Sequence, residues 1–216
     1  MSRNFFSICL AGKTYLNMFL IKEKRGFIMK KKIIVFYAIA LILLIAGIAF
    51  DSEIASYLSQ NRTIFFNELM SWFSFLGTWF IVLIFMTSLF MWQENKRKWI
   101  FPLWCSLIIS MAITYFLKLI IMRARPEVAL HSLLSSGFSS SFPSGHATAV
   151  FSTLAILDKE FPRFKWFWLT FAIIVVFSRL YLGMHYLTDV VIGAVIGYSI
   201  SLLVVRYVSA RKAVKK

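Results

Sequence analysis

The sequence predicts an all-α membrane protein, a bundle of six transmembrane helices with both termini cytoplasmic. Three observations lead there. The 216 residues are 60% hydrophobic and only 15% charged, with a mean hydropathy of +0.77, whereas a soluble domain carries about a quarter charged residues. Several apolar runs approach or exceed the ~18 residues that indicate a membrane-spanning helix. Lysine and arginine are sorted between the connections in the way that orients a membrane protein. The length suits one compact bundle without a second domain.

Residues 1–28 are basic, with scattered aromatics and no clear periodicity. Met29 is followed by Lys30-Lys31-Lys32 and then an apolar run. The expectation is that 1–28 extend upstream of the natural start and that 29–216 form a single domain. Ile33–Phe50 is the first span. Its lysine-rich start and Gly47-Ile48-Ala49 also suit a signal peptide, but the run is longer than the usual apolar region of one. Asp51–Met70 reads as a polar connection with short interfacial helices. Trp72–Trp92, Trp99–Met122, a shorter Pro143–Leu157, Trp166–Met184 and Thr188–Val208 complete the six. Glu127–Phe142, with six serines and Gly137, reads as a mobile loop.

Six spans place both termini on one side, and that side collects 19 of the 24 Lys and Arg residues. The bias makes it cytoplasmic. Trp92, Trp99, Trp166 and Trp168 flank two of its turns as interfacial anchors. The formal charge of +15 follows from the same bias, so nucleic acid is not expected as a partner. Cys9 in the N-terminal tail and Cys105 within an apolar run are poorly placed to pair.

Five cations remain for the outer side: Arg62, Lys118, Arg123, Arg125 and Arg179. Three of them belong to polar constellations that interrupt apolar sequence, each at the outer end of its helix. In the first, Lys118 and Arg125 are seven apart and share a helix face, which Pro126 then ends. Two cations on one face repel unless an anion lies between them, and guanidinium forks match phosphate oxygens. Lys118 alone also suits a snorkelling lysine. Arg123 falls off that face and is expected to meet lipid headgroups or solvent.

The second constellation is Pro143-Ser144-Gly145-His146. Ser144 can cap a helix whose free N–H groups attract anions, and Gly145 permits close approach of a ligand to the backbone. The third is Ser178-Arg179, then His185, then Asp189. Arg179 lies inside an apolar run, where a charge costs about 2.5–3.5 kcal/mol even on a lenient scale. His185 and Asp189 are four apart and face one way on a helix. A carboxylate on one ring nitrogen leaves the other free to attack; a structural capping pair fits the same spacing. Gly183 is expected to break the chain between Arg179 and His185. His131, His146 and His185 are not at metal-ligand spacing and no cysteine is near, so neither a metal nor a cofactor is expected.

Together these constellations resemble the type 2 phosphatidic acid phosphatase family: Lys, six residues, Arg-Pro; Pro-Ser-Gly-His; then Ser-Arg, five residues, His, three residues, Asp. Every position matches in order and spacing, over Lys118–Asp189, about a third of the chain. The resemblance implies His185 as a nucleophile forming a phosphohistidine, Asp189 as its partner, and His146 as the acid for the leaving group. Lys118, Arg125, Arg179, Ser144 and the Gly145 amide would hold the phosphoryl oxygens. Soluble vanadate-dependent haloperoxidases share these motifs, but the apolarity of this chain favours the membrane branch of the family. The expected partners are the bilayer and a lipid phosphate met at the extracytoplasmic face: phosphatidylglycerol phosphate, undecaprenyl diphosphate or phosphatidate. A phosphotransferase, or a lipid-phosphate binder or transporter without turnover, is the alternative. Gly193 and Gly197 mark a small-residue helix face, expected to pack within the bundle; oligomeric state is not readable.

Overall fold

The computed structural model describes residues 2–78, 80–93, 96–126 and 140–214, with side chains for 30–77, 80–93, 96–126 and 140–211. All its described elements are helical: α1 (Ser2–Gln60), α2 (Ile64–Thr78), α3 (Phe80–Gln93), α4 (Ile100–Ile121), α5 (Gly145–Glu160), α6 (Lys165–Tyr181) and α7 (Leu187–Val214). Met1–Ile42 and Leu43–Lys216 pack as separate units, and everything of functional interest lies in the second.

The first helix is longer than the apolar run that announced it. No proline occurs before residue 102, so nothing stops the hydrogen-bond ladder at either end of the run. The ladder is only bent, at Phe50 (φ −137°, ψ 22°). Asp51–Gln60 therefore continues α1, and Ile64–Met70 opens α2. Both stretches were expected within one polar connection. The second expected span, Trp72–Trp92, is two helices meeting at a 54° bend.

Among the described residues, four helices are long and apolar enough to cross a membrane, or five if the bent pair acts as one. The expected fourth span, α5, has 16 residues and is too short to be among them. It lies against α7 most extensively, with α4 and α6 beside it, and Ala147, Val150, Phe151, Ile156 and Leu157 are buried there. A helix walled in by neighbours can carry hydroxyls that lipid would not tolerate. Thr148, Ser152 and Thr153 are buried, and each bonds a carbonyl three or four residues back, at 3.0, 2.7 and 3.2 Å.

The Gly193 and Gly197 face packs inside this bundle, as expected. A Cβ at Gly197 would lie 2.4 Å from the Thr148 carbonyl oxygen, and one at Gly193 would lie 2.6 Å from that of Ser144. Only glycine lets α7 come this close to α5. Of the expected tryptophan anchors, Trp92 and Trp166 are exposed but Trp99 is buried. The Trp99 ring receives the Lys159 ammonium at 4.6 Å instead of lipid headgroups.

Candidate active site

The site is built where the C-terminal ends of α4 and α6 meet the N-terminal ends of α5 and α7. Each end is fixed locally. Helix α4 stops at Met122, whose left-handed backbone (φ 45°, ψ 34°) gives its N–H to the Lys118 carbonyl. The expected helix through Arg125 therefore ends early, and Arg123 and Arg125 lie beyond it. Lys118 and Arg125 still come close enough for their charges to interact, though not by helical projection. Lys118 Nζ donates to the Ser140 carbonyl at 2.6 Å. Burial pushes the Arg125 guanidinium below its ordinary value, with Asp189 opposing.

Ser144 caps α5 as expected: its Oγ accepts the Ala147 N–H. A Cβ at Gly145 would meet only Met111 Cε, at 3.7 Å. Packing does not require glycine there. His146 lies against Gly77 of α2, where a Cβ would come 2.8 Å from its Cδ2, and it hydrogen-bonds the Ser74 backbone.

Helix α6 ends at Tyr181, and Gly183 (φ 67°) turns the chain as expected. Arg179, 7% exposed, donates through Nη1 to Ser74 Oγ. Its Nε is buried with no hydrogen-bond partner, and no carboxylate pairs with it among the described residues. Its charge acts on both imidazoles.

His185 is not on a helix with Asp189; it precedes α7, and Asp189 sits in the first turn. Its Nδ1 is 2.7 Å from the Ser141 carbonyl oxygen and 3.8 Å from Asp189 Oδ2. The first distance is a hydrogen bond and the second is not. Asp189 accepts from Ser141 Oγ and, at 2.8 Å, from the Tyr186 N–H. Burial pushes the His185 imidazole down to about 4 against the opposing pull of Asp189, so the ring is neutral at neutral pH.

Arg123, expected against headgroups or solvent, is 32% exposed but has carboxylate partners. It pairs with Asp189 and Asp51, each at 2.8 Å, and stacks over Tyr186 at 4.1 Å. Burial lowers its proton affinity, but the two carboxylates outweigh this and hold the guanidinium above its ordinary value. A cavity of about 630 Å³ opens beside this pair, lined by Leu44, Ile48, Asp51, Arg123, Phe142 and Thr188 among others; none of the motif residues lines it. His131 lies outside the described residues. No group of three or more His, Cys, Asp and Glu gathers at metal-binding spacing among the described residues.

The His146 and His185 imidazoles, with His185 neutral and its Nε2 unprotonated, thus both feel the charge of the buried Arg179. This arrangement suits in-line displacement at a phosphoryl centre. Comparison with known proteins decides the family. Residues 99–213, just over half of the chain, match the model of the PAP2 superfamily. The chain belongs to that superfamily.

An undecaprenyl-diphosphatase of Sulfolobus acidocaldarius is 30% identical over 166 residues, 74% of this chain and 79% of that protein. A lipid A 1-phosphatase of Rhizobium johnstonii is 35% identical over 108 residues, 47% of this chain and 44% of that protein. The crystal structure of the transmembrane PAP2-type phosphatidylglycerolphosphate phosphatase of Bacillus subtilis superimposes with a TM-score of 0.67 at 26% identity, covering 81% of this chain and 94% of that one. The PAP2 fold, the apolar helices and these relatives make the chain a multi-pass membrane phosphatase, a phosphoric ester hydrolase.

Proposed function

We propose that this PAP2 phosphatase hydrolyses phosphate monoester or diphosphate lipids at the extracytoplasmic face of the cell membrane through a phosphohistidine. His185 Nε2 attacks phosphorus, and the bond to the lipid oxygen breaks with its electron pair leaving on that oxygen. His146 gives the oxygen a proton. Water then attacks the phosphohistidine and returns its proton to His146, inorganic phosphate leaves, and His185 is neutral again. Lys118, Arg125, Arg179, Ser144 Oγ and the Gly145 amide hold the phosphoryl oxygens and offset the charge in transfer.

One observation supports this reading above the rest: the buried Arg179 with an unpartnered Nε and, among the described residues, no carboxylate paired with it. Desolvating a cation costs several kcal/mol unless an anion answers it, and a phosphate carries both the charge and the acceptor oxygens. The described end of the bundle away from the site carries Lys96, Arg97, Lys159, Lys165 and Arg211. That distribution favours six passages with cytoplasmic termini, α5 and the bent α2–α3 pair each counting as one. An outward site favours undecaprenyl diphosphate over phosphatidylglycerol phosphate and phosphatidate, in line with the diphosphatase among the relatives.

The test is release of inorganic phosphate from these three lipids in detergent, with chelator present. Release that disappears in His185→Ala supports the proposal. Binding without release, or transfer of phosphate only to a second lipid, replaces hydrolysis by the alternatives. Loss of release in chelator contradicts the metal-free scheme.

A further inference from the structure

Asp51 and Arg123 belong to none of the three motifs, yet they form a chain of polar contacts that ends on Asp189. Arg123 Nη1 donates to Asp189 Oδ1 at 2.8 Å and to Thr188 Oγ1 at 2.6 Å, and its Nη2 donates to Asp51 Oδ2 at 2.8 Å. Asp51 in turn accepts from the Thr188 N–H at 3.1 Å and from Thr188 Oγ1 at 2.5 Å. Helix α1 reaches α7 closely enough for this because residue 47 is glycine; a Cβ there would lie 2.8 Å from Thr188 Cγ2.

The chain continues inward. Asp189 is fully buried; Oδ1 goes to Arg123, while Oδ2 takes Ser141 Oγ and the Tyr186 N–H. The Ser141 N–H donates to the Arg123 carbonyl at 2.7 Å. Ser141 is therefore held by Arg123 through its backbone and by Asp189 through its side chain. Its own carbonyl then takes the Nδ1 proton of His185.

We propose that Asp51 and Arg123 are positioning residues. They hold Asp189 ionised and in register, so that Ser141 presents its carbonyl to Nδ1 and keeps the Nε2 lone pair free. A buried carboxylate deprived of its cation takes a proton or moves to water. Either change loosens Ser141 and lets the imidazole sample the other tautomer, in which Nε2 is protonated and cannot attack. Neither residue is among the groups assigned to hold phosphate. Their loss therefore falls on kcat rather than KM. The kinetic half of this proposal rests on the function proposed above; the tautomer does not.

The experiment compares the full-length protein in detergent with Arg123→Met, Arg123→Lys and Asp51→Asn. Three quantities are read: thermal unfolding, kcat and KM for phosphate release, and the ring-nitrogen shifts of ¹⁵N-labelled His185. Arg123→Met is expected to lower kcat at least about ten-fold, as expected when a catalytic imidazole loses its tautomer, with KM within about three-fold. His185 is expected to shift from one tautomer to a mixture. Arg123→Lys restores part of both, and Asp51→Asn falls between. If Arg123→Met fails to fold, Asp51→Asn and Arg123→Lys carry the same readouts. A single unchanged tautomer with unchanged kcat in the folded variants overturns the proposal, as does a rise in KM with kcat unchanged. The tautomer readout needs no substrate, so it stands or falls separately from the hydrolysis reading.

Discussion

The Nδ1 of His185 lies 2.7 Å from the carbonyl oxygen of Ser141. A carbonyl only accepts, so the proton sits on Nδ1 and the lone pair on Nε2. The tautomer that the proposed attack requires is set by backbone, and Asp189 acts on it one step removed, through Ser141 Oγ. Side-chain replacement can separate these two contributions.

Ser141→Ala removes the donor to Asp189 but leaves the carbonyl in place. A hydrogen bond to a charged group contributes about 1.5–3 kcal/mol. Ser141→Ala is expected to lower the unfolding temperature and to reduce phosphate release moderately, while His185 keeps its single Nδ1–H tautomer by ¹⁵N NMR. A switch to the Nε2–H form would show that the side chain, and not the carbonyl, sets the tautomer.

The depressed proton affinity of His185 gives a pH dependence with a definite sign. The unfolded chain protonates this residue near 6.5, whereas the folded ring, pushed down to about 4, does not. Below about pH 6.5 the unfolded state thus binds a proton that the folded state lacks, and stability falls as pH drops from there towards 4. Thermal melts at pH 7 and pH 5 are expected to differ more for the native protein than for His185→Gln. Equal differences would show that His185 is not held neutral by burial.

Two glycines separate folding from activity. Gly197→Ala places a Cβ 2.4 Å from the Thr148 carbonyl oxygen and 2.8 Å from the Ser152 nitrogen, both backbone atoms that cannot move aside. Overpacking of this kind costs about 1–3 kcal/mol, and the unfolding temperature falls accordingly. Gly145→Ala meets only Met111 Cε, at 3.7 Å. It should melt as the native protein does yet release phosphate more slowly, because the methyl group enters the space that the proposed site gives to the phosphoryl oxygens. Native rates in Gly145→Ala would remove that residue from the site.

The three motifs were legible because their spacing alone carries them, and Gly183 was legible as a turn because it must adopt φ 67°. What failed was projection along an assumed helix. Counting helical turns puts Arg123 against headgroups or solvent, but the helix ends at Ile121 and Arg123 turns to Asp51 and Asp189. His185 and Asp189 were paired by a helical spacing that starts only at Leu187. Ser74 and Asp51 were invisible for a different reason: they meet Arg179 and Arg123 across 105 and 72 positions of chain. No local pattern marks such a meeting. Gly47 and Gly77 were the available signals, since each lets a helix close on a polar residue of α7 or α5. The hydroxyls of α5, expected as a shorter span, mark a helix enclosed by its neighbours.

The most direct measurement is capture of the covalent intermediate. The protein is mixed with lipid carrying labelled phosphate, quenched in alkali within one turnover, and digested for mass spectrometry. An alkali-stable, acid-labile phosphate on the peptide containing His185, absent in His185→Ala, is the result expected of an imidazole nucleophile at this position. Phosphate found on another residue, or steady phosphate release by His185→Ala, would contradict it.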